Sequence, residues 1–385
     1  MGGFGDLPQM LDLTRLISRV GRRFSGIDRV EFEYLRYFSR IPNSFGIVRT
    51  RWGYLILEQT TLHRLLKRLD LQWQGERLRK WKIMTELRFA AKRRASNSAI
   101  EGVLKTLFRD GFAYVNTGHM NHTDEFLCKI RAGGCSQITI LLHDVIPLSY
   151  PEFQRSETVA RFETGFRAVT KHADSIVVTT QSEAAQIEAA AAARGITLPK
   201  TCLAPLGADH LQRIERSGED GTERPYFLCV GTIEPRKNHA LLLDIWPSFS
   251  QPAADLLLVG ARGWRNEDVF RALDRGAPRV FERNNVSDRE LLSLMQGARA
   301  LLFPSFAEGF GLPAVEAARA GVPVICSDIP VFREILGDYG LYCDPRDKEC
   351  WVAAIEKAAS MPQIAHRNFS PHDWSSHFEI VFKVS

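Results

Sequence analysis

Four short runs in the second half of the chain are apolar without polar alternation: Pro225–Gly231, Ala254–Gly260, Arg299–Ser305 and Val322–Asp328. A strand apolar on both faces must be buried on both, and that burial is found in parallel sheets covered by helices on either side. Segments of helical pattern follow the runs, at His239–Trp246, Asn266–Asp274, Asp288–Gln296, Pro313–Ala320 and Lys348–Ser360. Strand and helix in alternation dictate a doubly wound α/β unit.

The first half repeats this grammar less cleanly. Phe112–Asn116, Gln137–Val145, Ser175–Thr180 and Lys200–Gly207 read as strands, and Arg29–Phe38 and Glu157–Lys171 as helices. The alanine-rich Ser182–Arg194 is helical by propensity. The stretch after Met1, "LPQMLDLTRLI", makes a mediocre strand. Arg213–Pro225 is charged, contains glycine and lacks apolar periodicity, so it reads as a linker. A chain of 385 residues is long for one core and suits two. The expectation is two doubly wound, Rossmann-like units, residues 1–215 and 222–370, with ligands beyond the carboxyl ends of their strands.

Seven cysteines form no C-x-x-C pair, which argues against zinc knuckles and dithiol redox chemistry; they read as small hydrophobes in a reducing compartment. Neither a basic-then-apolar leader nor an apolar run of about 18 residues is visible, so the cytoplasm is the expected location. The net charge of +5 is unevenly spread: His63–Arg94 holds eleven Lys or Arg against three carboxylates. Within it, Gly75–Arg94 mixes Leu, Trp, Ile, Met and Phe with basic residues at roughly helical spacing. Such a helix suits an anionic membrane surface, or simply packs on the first sheet. Aromatic stacking platforms for nucleic acid are missing from the pattern.

The most informative stretch is "FPSFAEGFGLPAVEAARAGVPV", Phe303–Val324. A strand ends, and a loop brings Glu308, Gly309, Phe310, Gly311 and Leu312. Pro313 then stands where a first helical position would be, and Glu316 lies within the first turns. Glycines admit close backbone approach and a helix start offers free N–H groups, a ready site for a diphosphate. The eight residues from Glu308 to Glu316 span about 12 Å if helical. Two carboxylates so placed can bracket a donor, one on sugar hydroxyls and one on a ribose. A second constellation, "VGTIEPRKNH" (Val230–His239), puts Arg236 and Lys237 in a strand-end loop, where they can neutralise a departing diphosphate.

Together these segments resemble the retaining GT-B glycosyltransferases of family 4, which build bacterial polysaccharides and glycolipids. The E-x7-E motif matches at Glu308 and Glu316, and "GTIEPRKN" resembles a mannosyltransferase-like subgroup of O-antigen and exopolysaccharide pathways. "GARGW", "NNVSDREL" and "EGFGLPAVEA" fall in the family's order, and the likeness is strongest from Val230 to Pro345. The resemblance implies a metal-independent hexosyltransferase whose donor is a nucleotide diphosphate sugar, GDP-mannose or a UDP-sugar, and whose acceptor is a glycan or lipid-linked oligosaccharide. It implies catalytic roles for Glu308, Lys237, Arg236 and His143, the last in "LLHDVIPLSYPE". It implies donor contacts at Gly26, Gly231, Thr232, Val286, Gly309, Phe310, Gly311, Leu312 and Glu316. Gly26 would lie in a glycine loop after the first strand, His119 in "NTGHMNH" would line the acceptor side, and residues 371–385 would form a helix crossing back to the first unit. Many members carry Arg where this chain has Thr232; Arg236 is the candidate to supply that charge. Two other readings use the same fold: a nucleotide-sugar epimerase, and a binding subunit without turnover.

Overall fold

The computed structural model describes residues 7–22, 24–208, 225–249, 254–284, 286–360 and 369–383. The expected linker, Pro225 excepted, and the unit boundaries at 215 and 222 fall outside them. Two sheets are present among the described residues. The first contains β1 (Gln9–Asp12), β2 (Ser44–Thr50), β3 (Gly53–Glu58), β4 (Arg93–Ala95), β5 (Phe112–Asn116), β6 (Cys135–Leu141), β7 (Ser175–Val178) and β8 (Lys200–Leu203). Their order is β4-β3-β2-β1-β5-β6-β7-β8. The second contains β9 (Tyr226–Val230), β10 (Asp255–Val259), β11 (Val280–Arg283), β12 (Leu301–Phe303), β13 (Val324–Ser327) and β14 (Gly340–Cys343), ordered β11-β10-β9-β12-β13-β14.

The second sheet is parallel throughout, as its unbroken apolar runs require. The first is parallel from β2 to β8 but carries an antiparallel edge, β3 on β2 and β4 on β3. In both sheets the strand order reverses at the centre, between β1 and β5 and between β9 and β12. Loops following those strands diverge and leave the crevice in which open α/β sheets hold ligands.

Several expectations need correction. The weak N-terminal stretch is the central strand β1, buried at all four residues. It reads poorly because it ends in a charged residue, Asp12, whose carboxylate accepts from the Thr14 N–H (2.8 Å), the Tyr114 hydroxyl (2.7 Å) and Asn121 Nδ2 (2.7 Å). Gly26 is not in a loop but opens the helix Gly26–Phe38. Ser25 and Asp28 form a capping box, each side chain bonding the other's backbone N–H, and that starts the helix early. In the basic segment only Lys80–Ala90 is helical; Arg93–Ala95 turns into edge strand β4. Pro313 occupies the second helical position, since the helix Leu312–Arg319 begins one residue sooner.

The helix Trp374–Lys383 packs on the first unit, where Trp374, Phe378 and Val381 join the apolar cluster of Tyr34, Leu35 and Phe38. His377 lies within 3.1 Å of the Ala204 and Pro205 carbonyls through Nδ1, so that nitrogen carries the proton, and Nε2 accepts from the Tyr34 hydroxyl at 2.8 Å. Among the described residues no helix is long and apolar enough to cross a membrane.

Candidate active site between the two units

After β9 the chain turns through Gly231 and Thr232 and makes a short 3-10 turn, Pro235–Lys237, closed by Asn238 in the left-handed conformation. This turn aims Arg236 and Lys237 at the loop that leaves β12. Lys237 Nζ lies 2.5 Å and Arg236 Nη1 2.9 Å from Glu308 Oε1, while Arg236 Nη2 bonds Glu234 at 2.6 Å. The Phe303 ring lies 4.4 Å from the Lys237 ammonium. Burial alone would push the Glu308 carboxyl up; Arg236 and Lys237 outweigh it and hold it at about 2. Burial pulls Lys237 below the usual amine range, partly countered by Glu308. Two cations, Arg236 and Lys237, thus stand among two carboxylates, Glu308 and Glu234, in a largely buried site.

The first unit meets this loop directly. A Cβ on Gly309 would stand 2.4 Å from the His143 carbonyl oxygen and 3.0 Å from Asp144, so only glycine lets the two units close here. The His143 ring, behind that carbonyl, is buried and donates from Nε2 to the Thr117 carbonyl at 2.6 Å. Burial, reinforced by His119, holds its pKa well below the usual range. The ring is thus neutral, and with Nε2 protonated its Nδ1 is an acceptor. His119 stands beside it, ring centres 5.3 Å apart, and His122 lies 6.3 Å from His119. Asn116 and Asn121 fix this loop, the former through Met120 and Gly118, the latter through Asp12 and Thr14.

Most residues singled out in the sequence converge on this cleft. Gly311 has φ +90°, and a Cβ there would also strike Phe332 at 2.7 Å; its turn delivers the helix carrying Glu316. Gly26 lies against Leu312, with 3.5 Å between the position of its Cβ and Cδ1. The side chains of Phe310 and Leu312 are taken up by packing: Leu312 belongs to the first unit's apolar cluster and Phe310 packs against it. What they can offer a phosphate is backbone. Val286 is buried in the second unit's core, just before the helix Asp288–Gly297. Glu316 is buried and paired, and its partner is a residue that the sequence did not single out, Arg29. Arg15, which bonds Asp28 (2.5 Å) and Glu31 (2.6 Å), also lines the first unit's side unannounced.

Further contacts join the units. Phe153 stacks on Phe306 (5.4 Å), Trp264 Nε1 donates to the Phe153 carbonyl (3.0 Å), and Glu334 accepts from the Gln181 (2.6 Å) and Ser182 (2.9 Å) backbone N–H groups.

Two Rossmann-like units with their strand ends facing across such a cleft define the GT-B fold of glycosyltransferases. The comparisons agree: UDP-glucose-bound HepE of Anabaena superposes with a TM-score of 0.63 at 15% identity over 91% of this chain and 90% of that one. Residues 212–371 match the family described as "Glycosyl transferases group 1", so the second unit carries a domain of that family. The serotype-specific mannosyltransferase WbdA of Escherichia coli is 31% identical over 279 residues, 66% of this chain and 34% of WbdA. The O-antigen chain mannosyltransferase B of E. coli is 40% identical over 135 residues, 34% of this chain and 35% of that protein. The chain therefore spans about a third of the length of these relatives.

Proposed function

We propose that the chain is a retaining glycosyltransferase moving a hexose, mannose from GDP-mannose in the leading reading, to a glycan or lipid-linked acceptor in bacterial surface-polysaccharide synthesis. The observation that carries it is the convergence of Arg236 and Lys237 on Glu308 beneath the His143 carbonyl, in a chain whose relatives include a serotype-specific and an O-antigen chain mannosyltransferase. Breaking the sugar–phosphate bond leaves positive charge on the sugar and negative charge on the diphosphate. Arg236, Lys237 and the helix start after Gly311 meet the negative charge without a divalent cation, and preorganised electrostatics of this kind is usually the largest catalytic contribution. Glu308 and His143 Nδ1 accept from sugar hydroxyls, and Glu316 from the ribose. The backbone around Gly231, Thr232 and Val286 completes the nucleotide site. The acceptor attacks the face that the diphosphate leaves; its hydroxyl proton passes to the departing phosphate, and configuration is retained.

In this reading the first unit, to about residue 215, holds the acceptor, the second, from about 222, holds the donor, and the final helix fastens the pair. The acceptor's lipid accounts for an unusual surface. Trp81 and Phe89, 61% and 82% exposed, share the outward stripe of the helix Lys80–Ala90, whose Ile83 and Leu87 face inward. Trp52, 62% exposed, lies under the guanidinium groups of Arg51 (4.7 Å) and Arg88 (4.1 Å). Aromatics among cations suit the headgroup layer of an anionic membrane, on its cytoplasmic face.

Thermal melting with GDP, UDP, ADP and dTDP, each at millimolar concentration, tests the donor site. A ligand at 100 times its dissociation constant adds about 2.7 kcal/mol. GDP is expected to raise Tm by a few degrees. Stabilisation by UDP alone redirects the donor to a UDP-sugar, and stabilisation by none of the four removes the donor site. Transfer to an acceptor, rather than donor conversion alone, separates this reading from an epimerase.

A further inference from the structure

Arg29 stands on the buried face of the helix Gly26–Phe38 and reaches out of the first unit altogether. Its Nη1 donates to Glu316 Oε1 and its Nη2 to Asp288 Oδ1, the latter at 2.5 Å. Arg29 is 8% and Glu316 2% exposed, and the Trp73 ring backs the guanidinium at 5.5 Å. Burial opposes the charge of both groups; Glu316 and Asp288 nonetheless hold the Arg29 guanidinium protonated, whereas burial keeps the Glu316 carboxyl above its usual range although Arg29 pulls it down. Taking such ions out of water costs several kcal/mol each, so a buried pair is weak evidence for stability and asks for another reason. The place of the two carboxylates supplies one. Glu316 is on the helix that follows the glycine loop, and Asp288 opens the helix that follows Val286. In the proposed reading the donor's nucleoside lies between these two helices, and one side chain from the opposite unit pins both.

We propose that Arg29 is a positioning residue for donor recognition: it holds the Glu316 carboxylate aimed at the ribose diol, and so makes the second unit's nucleotide site complete only when the first is docked on it. The proposal rests on the reading that Glu316 takes the ribose. A carboxylate offers about four acceptor positions, so a guanidinium and two hydroxyls can share it. The ligand class is a nucleoside diphosphate with both ribose hydroxyls present.

The test is calorimetric binding of GDP and UDP and of their 2′,3′-dideoxy counterparts to the whole chain, in wild type, Arg29→Met, Glu316→Gln and the double variant. Wild type is expected to prefer the ribonucleotide. Arg29→Met should weaken ribonucleotide binding about tenfold, the worth of one hydrogen bond to a charged group, and leave the dideoxy form unchanged. Added to Glu316→Gln it should cost little more, because the two act in series. Arg29→Lys, a point charge able to hold one carboxylate at a time, should restore part of the preference; it also serves if Arg29→Met fails to fold. Equal weakening of both nucleotide forms, additivity with Glu316→Gln, or no change on losing Arg29 overturns the role. If Glu316→Gln itself keeps the full ribose preference, or neither ribonucleotide binds wild type, the donor reading beneath it falls first.

Discussion

The two faces of the cleft handle polarity in opposite ways. The second unit keeps its groups charged: Glu308 is held at about 2 and bound by Lys237 and Arg236. The first adds neutral histidines beside its paired Arg15: burial, then the nearby Arg15, lowers His119 to about 4, and burial, then His119, lowers His122 to about 3. A diphosphate gathers negative charge as its bond breaks and needs fixed cations in place beforehand. A sugar presents only hydroxyls, for which a neutral acceptor is enough. Each wall is built for one end of the bond that the proposed reaction breaks.

The contrast is broken most directly at Lys237. Lys237→Ala is expected to lower transfer about 100- to 1,000-fold, the usual cost of one transition-state donor. Wild-type turnover in that variant would remove the charged wall from the mechanism. The same wall has a structural counterpart at Glu308. Glu308→Ala leaves the buried Lys237 without its carboxylate and Arg236 with Glu234 alone, and removing one partner of a buried pair costs about 3–5 kcal/mol. Urea denaturation should show that loss beside the loss of activity; a variant as stable as wild type would mean that the cations are solvated and the site more open than its geometry indicates.

How much of this could be read beforehand follows the range of the interactions. The second unit was legible because its signals are local: unalternating strands, then glycine, proline and a helix start within a few residues, as in Phe303–Val324. The first unit hid its central strand, since Asp12 spoils the apolar run and is tolerated only because Asn121 and Tyr114, over 100 residues away, bond its carboxylate. The edge strand β11 was missed because "VFER" is short, ends in two charged residues and lies at a sheet margin. Arg29 carries no local sign of its role: its partner Glu316 is 287 positions distant, and only the docking of the units brings them together. Phe310 and Leu312 show the converse, motif residues whose side chains serve the interface.

Acidification separates the two walls more gently. Glu308, depressed to about 2, contributes stability that is complete above the ordinary carboxyl range and lost only as pH falls toward 2. Buried neutral histidines work the other way. The unfolded chain takes up their protons from about pH 6.5 downward while the folded chain does not, so stability falls between pH 7 and pH 5. Each such histidine weighs about 2 kcal/mol at pH 5. Glu31, kept protonated up to about 8 by burial against the pull of Arg15, opposes this, so one group must be isolated. His122→Phe removes a titrating ring of similar size, and its stability relative to wild type should rise by about that amount from pH 7 to pH 5. A parallel pair of pH–stability curves would show that His122 is protonated in the fold and that the first wall is not neutral.

The smallest effect concerns a surface away from both walls. Trp81 and Phe89 stand in solvent on a helix whose Ile83 and Leu87 already satisfy the core, so the fold gives them no packing role. Replacing both by Ser should leave melting and transfer to a water-soluble acceptor within twofold of wild type, and lower partition onto phosphatidylglycerol vesicles at low salt about tenfold. Vesicles of phosphatidylcholine should bind neither protein, because Arg88 and its basic neighbours would lack their counter-charge. Equal flotation of wild type and variant on anionic vesicles would take Trp81 and Phe89 out of the proposed membrane contact, and with them the argument for a lipid-linked acceptor on this side of the first unit.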